Sequence, residues 1–137
     1  MSANSRPFFP WMFFKAVART GLVSFLTLWQ GVRGTATHQR VDKSSAWWAG
    51  GLLRDAHIRL EIHGRENLEP YTPMVIMSNH QSLYDIPAIL VGLPESIRML
   101  AKKELFHVPI WGKAMAAGGF IEIDRKNHER ARKSLRL

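Results

Sequence analysis

The chain has no cysteine in its 137 residues. Disulfides, thiolate nucleophiles and Cys-bearing metal sites are thereby excluded, and the redox compartment is left open. It also has no Gly-x-Ser-x-Gly segment, which removes the serine elbow of the α/β-hydrolases. The six histidines, at 38, 57, 63, 80, 107 and 128, include no closely spaced pair, so the usual zinc-ligand spacing is missing and no metal site is expected. Internal repeats and low-complexity tracts are absent. What remains is a chain that is 46% hydrophobic and 22% charged, the balance of about one globular domain with a buried core.

Acidic residues are few, 11 against 19 Lys and Arg, and the net charge is +8. The excess sits at the two ends: residues 1–45 carry +5, residues 46–124 carry −2 and residues 125–137 carry +5. Such an excess suits nucleic acid, an anionic membrane or a solvated face. Aromatic residues cluster with the apolar N-terminus and not among the C-terminal cations, and no nucleic-acid motif occurs, so nucleic acid is the poorest of the three.

Around the first cations, Phe14, Val17, Ala18, Gly21, Leu22, Phe25, Leu28 and Trp29 form one helical stripe, opposite Lys15, Arg19, Thr20, Ser24, Thr27 and Gln30. The pattern predicts an amphipathic helix. Its apolar core falls short of the roughly 20 residues of a bilayer span, and Lys15 and Arg19 interrupt any longer window. A helix lying in the interface is expected, with Trp11, Trp29 and the cluster Phe8, Phe9, Phe13 and Phe14 at headgroup depth and the cations toward anionic lipid. The other reading is a helix packed on the protein's own core. No signal-peptide cleavage pattern follows the apolar run.

Gly31 to Ser45 is polar and reads as a connection, which divides the chain into residues 1–45, a membrane-associating helix and linker, and residues 46–137, a folded domain. Beyond the connection the periodicity alternates. A helix is expected over Ala46–His57, a strand over Ile58–Ile62, a turn-rich loop from Gly64 to Pro73 and a strand over Met74–Ser78. There follow a helix over Leu83–Val91, a strand over Ile97–Ala101, a helix over Pro109–Ala117, a strand over Phe120–Asp124 and a basic helical tail from Asn127. This order predicts an α/β fold, a largely parallel sheet with flanking helices.

In open α/β sheets ligands bind outside the carboxyl ends of the strands. Three such ends carry polar residues here: Asn79 and His80, Lys102 and Lys103, and Arg125. A base and several cations on one edge suit deprotonation of a hydroxyl on a substrate that also bears a phosphate. Within Ser78-Asn79-His80-Gln81-Ser82-Leu83-Tyr84-Asp85, His80 and Asp85 would point about 140° apart on a continuous helix. They can pair only if His80 lies in the loop and Asp85 in the first helical turn. Ser82-x-x-Asp85 reads as a capping box, and Pro87 is tolerated early in a helix. Asp85 would then fix the tautomer of His80 and leave the other ring nitrogen free to take a proton. The competing reading makes Asp85 a helix cap and His80 a surface loop residue.

The run SNHQSLYDIPAIL, followed by AKKELFHVPIWGKAMAAGG and FIEIDR, resembles the glycerolipid acyltransferase family that includes 1-acyl-glycerol-3-phosphate acyltransferases. The Lys102-to-Leu105 step and the approach Ile62-His63-Gly64-x-Glu66-Asn67-Leu68 are similar to it as well. The resemblance spans about residues 58 to 130. It implies transfer of a fatty acyl group from acyl-CoA or acyl carrier protein to the free hydroxyl of 1-acyl-glycerol-3-phosphate, at a membrane and on its cytoplasmic face, with the donor as substrate and no separate cofactor. By the same resemblance His80 is the general base, Asp85 its orienting partner and Arg125 a ligand of the acceptor phosphate, with Lys102 a weaker second.

Direct attack by the acceptor hydroxyl on the thioester needs no covalent acyl-enzyme, in keeping with the missing cysteine; a seryl route through Ser78 or Ser82 stays open. Backbone amides near Ser82 are candidates for stabilising the tetrahedral oxyanion. The family's third block, of Phe-Pro-Glu-Gly-Thr-Arg type, does not occur, so the resemblance implies a C-terminally truncated, inactive N-terminal portion. The alternative is a non-enzymatic membrane-interface protein derived from such an enzyme.

Overall fold

The computed structural model describes residues 10–69, 72–93 and 96–127, together with 129 and 132. Phe8, Phe9 and most of the tail after Asn127 lie outside the described residues. In chain order the elements are α1 (Pro10–Val32), α2 (His38–Asp55), a 3-10 turn (Arg65–Asn67), α3 (Asp85–Gly92), β1 (Leu100–Lys102), α4 (Lys103–Phe106), α5 (Trp111–Ala117) and β2 (Ile121–Ile123). The fold is helix-rich α/β, with α1 packed on α2 and α5 and α2 packed on α3.

The strands β1 and β2 pair in parallel, Leu100 with Ile121 and Lys102 with Ile123, joined by a crossover through α4 and α5. β2 lies within the expected strand Phe120–Asp124, while β1 shares only Leu100 and Ala101 with the expected Ile97–Ala101. The segments 58–62 and 74–78, expected as strands, are not hydrogen-bonded into a sheet. In the first, Arg59 and Glu61, two residues apart, form an ion pair of 3.4 Å on one side of the chain. Leu60 and Ile62 lie on the alternate positions and rest near Gly92 at the end of α3. The period-2 alternation is therefore real, but among the described residues no neighbouring strand lies alongside to accept the ladder bonds. Met74–Ser78 is expected to be buried and is not, with Val75 87% and Met77 91% exposed.

The connection between the first two helices is also shorter than its polar composition suggests. Thr37 caps α2 by accepting a hydrogen bond from the Arg40 amide, so the helix begins at His38 and most of Gly31–Ser45 is helical. Val41, Ala49, Leu52 and Leu53 of α2 and Ala114 and Met115 of α5 form the buried core. The turn into α5 is fixed by Gly112, whose Cα lies so close to the Phe106 carbonyl that any side chain would collide with it.

α1 is a continuous helix of 23 residues, long and apolar enough to cross a membrane by length and composition, which corrects the expectation that its apolar core falls short of a span. The orientation of its two faces is the reverse of a core helix. Ser24 and Thr27 are buried, Thr27 satisfies its hydroxyl on the Val23 carbonyl, and Thr20 accepts the Trp48 indole N–H at 2.9 Å. Trp11, Phe13, Phe14, Val17, Phe25 and Trp29 point outward. A helix that buries its hydroxyls against the protein and presents its aromatic residues outward is suited to an apolar surrounding on that outer side.

The cations expected to face lipid are already engaged. Arg19 donates to Asp55 at 3.2 Å, Lys15 lies 3.5 Å from the same carboxylate, and the Arg19 guanidinium sits 4.7 Å from the Trp47 ring centroid. Gly51 makes room for that guanidinium, since a Cβ there would overlap it. Both cations face α2, which supplies an acid at the matching height.

Candidate active site

The loop before α3 folds back on the first residue of that helix. Ser82 accepts the Tyr84 amide on its hydroxyl at 3.2 Å and the Asp85 amide on its carbonyl at 3.2 Å. The Asp85 carboxylate reaches back and accepts from the amides of Gln81 and Ser82, each at 2.7 Å through Oδ2. The capping box is thus half realised: the acidic arm bonds as expected, while the serine hydroxyl closes a tighter turn onto Tyr84. This geometry brings His80 to Asp85, with Nδ1 3.0 Å from Oδ2.

A carboxylate is an acceptor only, so Nδ1 carries the proton in this pair and, in the neutral imidazole, Nε2 keeps its lone pair. The His80 side chain is 60% exposed, which leaves Nε2 accessible to a ligand. The carboxyl of Asp85 is held below the usual carboxylate range, chiefly by the Ser82 and Gln81 amides and then by His80. Its charge is therefore secured by backbone donors that do not depend on the protonation of the imidazole.

The amides of Gln81, Ser82, Tyr84 and Asp85 are all engaged within the loop. As they stand, these four amides are not free to form the oxyanion hole expected near Ser82. Spacing alone does not show that the same donors are taken by Asp85.

Lys102 ends β1 and Arg125 follows β2 by two residues; both are exposed. Because the strands are parallel with Lys102 opposite Ile123, the two cations leave the sheet at the same edge. Among the described residues no hydrogen bond or ion pair links either of them to His80 or Asp85. Between them lies a contact that residue patterns do not reveal. Lys103 donates to Asp124 at 2.7 Å, and the Asp124 side chain is only 10% exposed.

The sequence of this region is that of one known family. The sequence model of the family described as Acyltransferase matches residues 59–136, more than half of the chain and the whole of the region just described. The chain belongs to the acyltransferase family. Among its relatives, the 1-acyl-sn-glycerol-3-phosphate acyltransferase of Pseudomonas aeruginosa is 41% identical over 80 residues, covering 58% of this chain and 30% of the relative. The alpha enzyme of that name from Mus musculus is 39% identical over 69 residues, 50% of this chain and 24% of the relative. The beta enzyme of Homo sapiens is 35% identical over 85 residues, 62% of this chain and 31% of the relative. The matched stretch thus spans less than a third of each of these relatives. No solved structure matches.

Proposed function

We propose that this acyltransferase-family chain carries the base and part of the acceptor site for transfer of a fatty acyl group to the free hydroxyl of 1-acyl-glycerol-3-phosphate. The observation that supports this most is the His80–Asp85 contact of 3.0 Å, with Nε2 left accessible. Nε2 takes the acceptor hydroxyl proton while the oxygen attacks the thioester carbonyl of acyl-CoA or acyl carrier protein. The thiolate leaves and receives the proton from the imidazolium. Positioned general-base catalysis of this kind contributes about 10²–10⁴ in rate. Arg125 and Lys102, at one sheet edge, are the candidate ligands of the acceptor phosphate, a task that the planar donor fork of Arg suits.

Close behind α3, an apolar cavity of about 160 Å³ includes Ile86, Leu90, Met99, Trp111 and Met115 in its wall. Ile86, the residue after Asp85, is part of that wall, which suits an apolar chain attached to a carbonyl at the base. The division proposed, an N-terminal membrane-associating part, residues 1–45, and an acyltransferase part, residues 46–137, has its boundary within the continuous helix α2 (His38–Asp55), which belongs to both parts. The outward aromatic face of α1 supports attachment to a membrane; the side proposed is the cytoplasmic face.

The test joins this chain to the residues that follow the matched stretch in the Pseudomonas aeruginosa relative and measures phosphatidate formed from lysophosphatidate and acyl-CoA or acyl carrier protein. His80→Ala should lower turnover by about 10²–10⁴ while leaving vesicle binding intact. Turnover within twofold of the parent, about the scatter expected of a surface change, would refute the assignment of the base.

A further inference from the structure

We propose that Lys103 and Asp124 are positioning residues that set the spacing and direction of Lys102 and Arg125. The inference rests on the reading that those two cations meet the acceptor phosphate. Lys103 and Asp124 each stand next to one of the cations in sequence, and both face inward where the cations face solvent. The Lys103 ammonium meets Asp124 Oδ2 at 2.7 Å and ties the end of β1 to the end of β2.

The other carboxylate oxygen, Oδ1, accepts the Lys126 amide at 3.0 Å, and the Asp124 carbonyl accepts the Asn127 amide at 3.2 Å. Residues 124–127 are thereby closed into a turn with Arg125 at its first corner. One carboxylate fixes both the turn that carries Arg125 and the lysine beside Lys102. Parallel pairing puts the two strand ends level, since Lys102 opposes Ile123, but a strand of three residues holds its end only weakly. The side-chain tie beyond the last ladder position supplies the rigidity that a two-point grip on a phosphate requires.

Positioning and stability are separable by experiment. The paired change Lys103→Met with Asp124→Asn removes both charges together, so no buried charge is left alone, and keeps an acceptor for the Lys126 amide. Binding of 1-acyl-glycerol-3-phosphate in nonionic detergent micelles is measured by titration calorimetry, with the phosphate-free 1-acyl-glycerol as control and far-UV circular dichroism recorded alongside. The folded double variant should bind on the order of tenfold more weakly, the loss typical when supporting partners of a binding residue are removed. Lys103→Arg, which keeps the ion pair, should retain most of the affinity.

In the unaltered chain, saturating ligand should slow hydrogen exchange of the Lys126 amide. This second measurement stands even if the double variant does not fold. Parent-like affinity in a folded double variant, or a Lys126 amide indifferent to ligand, while Arg125→Ala weakens binding, would overturn the positioning role and leave the phosphate reading intact. Parent-like binding by both Arg125→Ala and Lys102→Ala would remove the phosphate reading and the positioning role with it.

Discussion

Replacing Phe14 and Phe25 with Asp should release the chain from membranes without unfolding it. Phe14 is 69% exposed and Phe25 is 59% exposed, so neither belongs to the core, and Phe25 loses only a stacking contact of 6.4 Å with Trp29. An aromatic side chain presents about 200 Å², which makes the outward area of the two rings together about 250 Å². At about 25 cal/mol per Å² full transfer out of water is worth about 6 kcal/mol. An interfacial helix immerses only part of its circumference, so about half of this, roughly 3 kcal/mol or 100-fold in affinity, is the expected loss.

The assay is cosedimentation with vesicles of phosphatidylcholine and phosphatidylglycerol, with the thermal unfolding midpoint as control. An unchanged bound fraction in a folded double variant would refute the argument that α1 meets lipid through this face. Lys15→Ala, by contrast, should change vesicle affinity by less than about twofold, because its charge is already shared with Asp55 and exposed ion pairs contribute little.

Three further outcomes rest on particular contacts. Asp85→Asn, in the chain joined to the relative's C-terminal portion, should lower turnover less than His80→Ala; the amide oxygen can still accept from Gln81 and Ser82, but the imidazole loses its charged partner. A loss larger than that of His80→Ala, read from initial rates, would contradict these roles. The folded Asp85 carboxyl titrates below its unfolded value, so its contribution to loop stability is fully present above the unfolded pKa and disappears as pH falls through the folded one. A carbon-13 NMR titration of the Asp85 carboxyl with a midpoint at or above the usual carboxylate range would negate this. Gly112→Ala should destabilise the chain by about 1–3 kcal/mol, because the new methyl overlaps the Phe106 carbonyl, and thermal unfolding reads the shift directly.

Residues whose partners are close in sequence are legible from the sequence alone. His80 and Asp85 are five apart, and a loop-to-helix break between them is enough to let them meet, since no continuous helix allows it. Helix α3 and the pair β1 and β2 are legible for the same reason: short apolar runs, bounded by turn residues, fix local conformation. The differences are also specific. Helix α2 starts earlier than its periodicity predicts, because its first turns carry the polar His38, Gln39 and Arg40 and its start is decided by the Thr37 cap. Met74–Ser78 has the composition of a buried strand, but an apolar run says only that burial would be favourable. Whether a neighbouring strand is there to bury it is a matter of tertiary structure.

The amino-acid sequence by itself determined the family, the pairing of His80 with Asp85, the cations at the strand ends and the two faces of α1. Tertiary structure decided which of those faces met the protein. A helical wheel separates apolar from polar side chains, but the side turned inward depends on what the neighbouring elements offer. Here α2 supplied Trp48 for Thr20 and Asp55 for Lys15 and Arg19, so these three side chains of the polar face turned toward the fold and the aromatic face was left outside. The same reason kept the Lys103–Asp124 tie hidden. Its partners are 21 residues apart, and only parallel pairing of β1 with β2 brings an ammonium and a carboxylate into contact in a site dry enough for the bond to hold its neighbours in place.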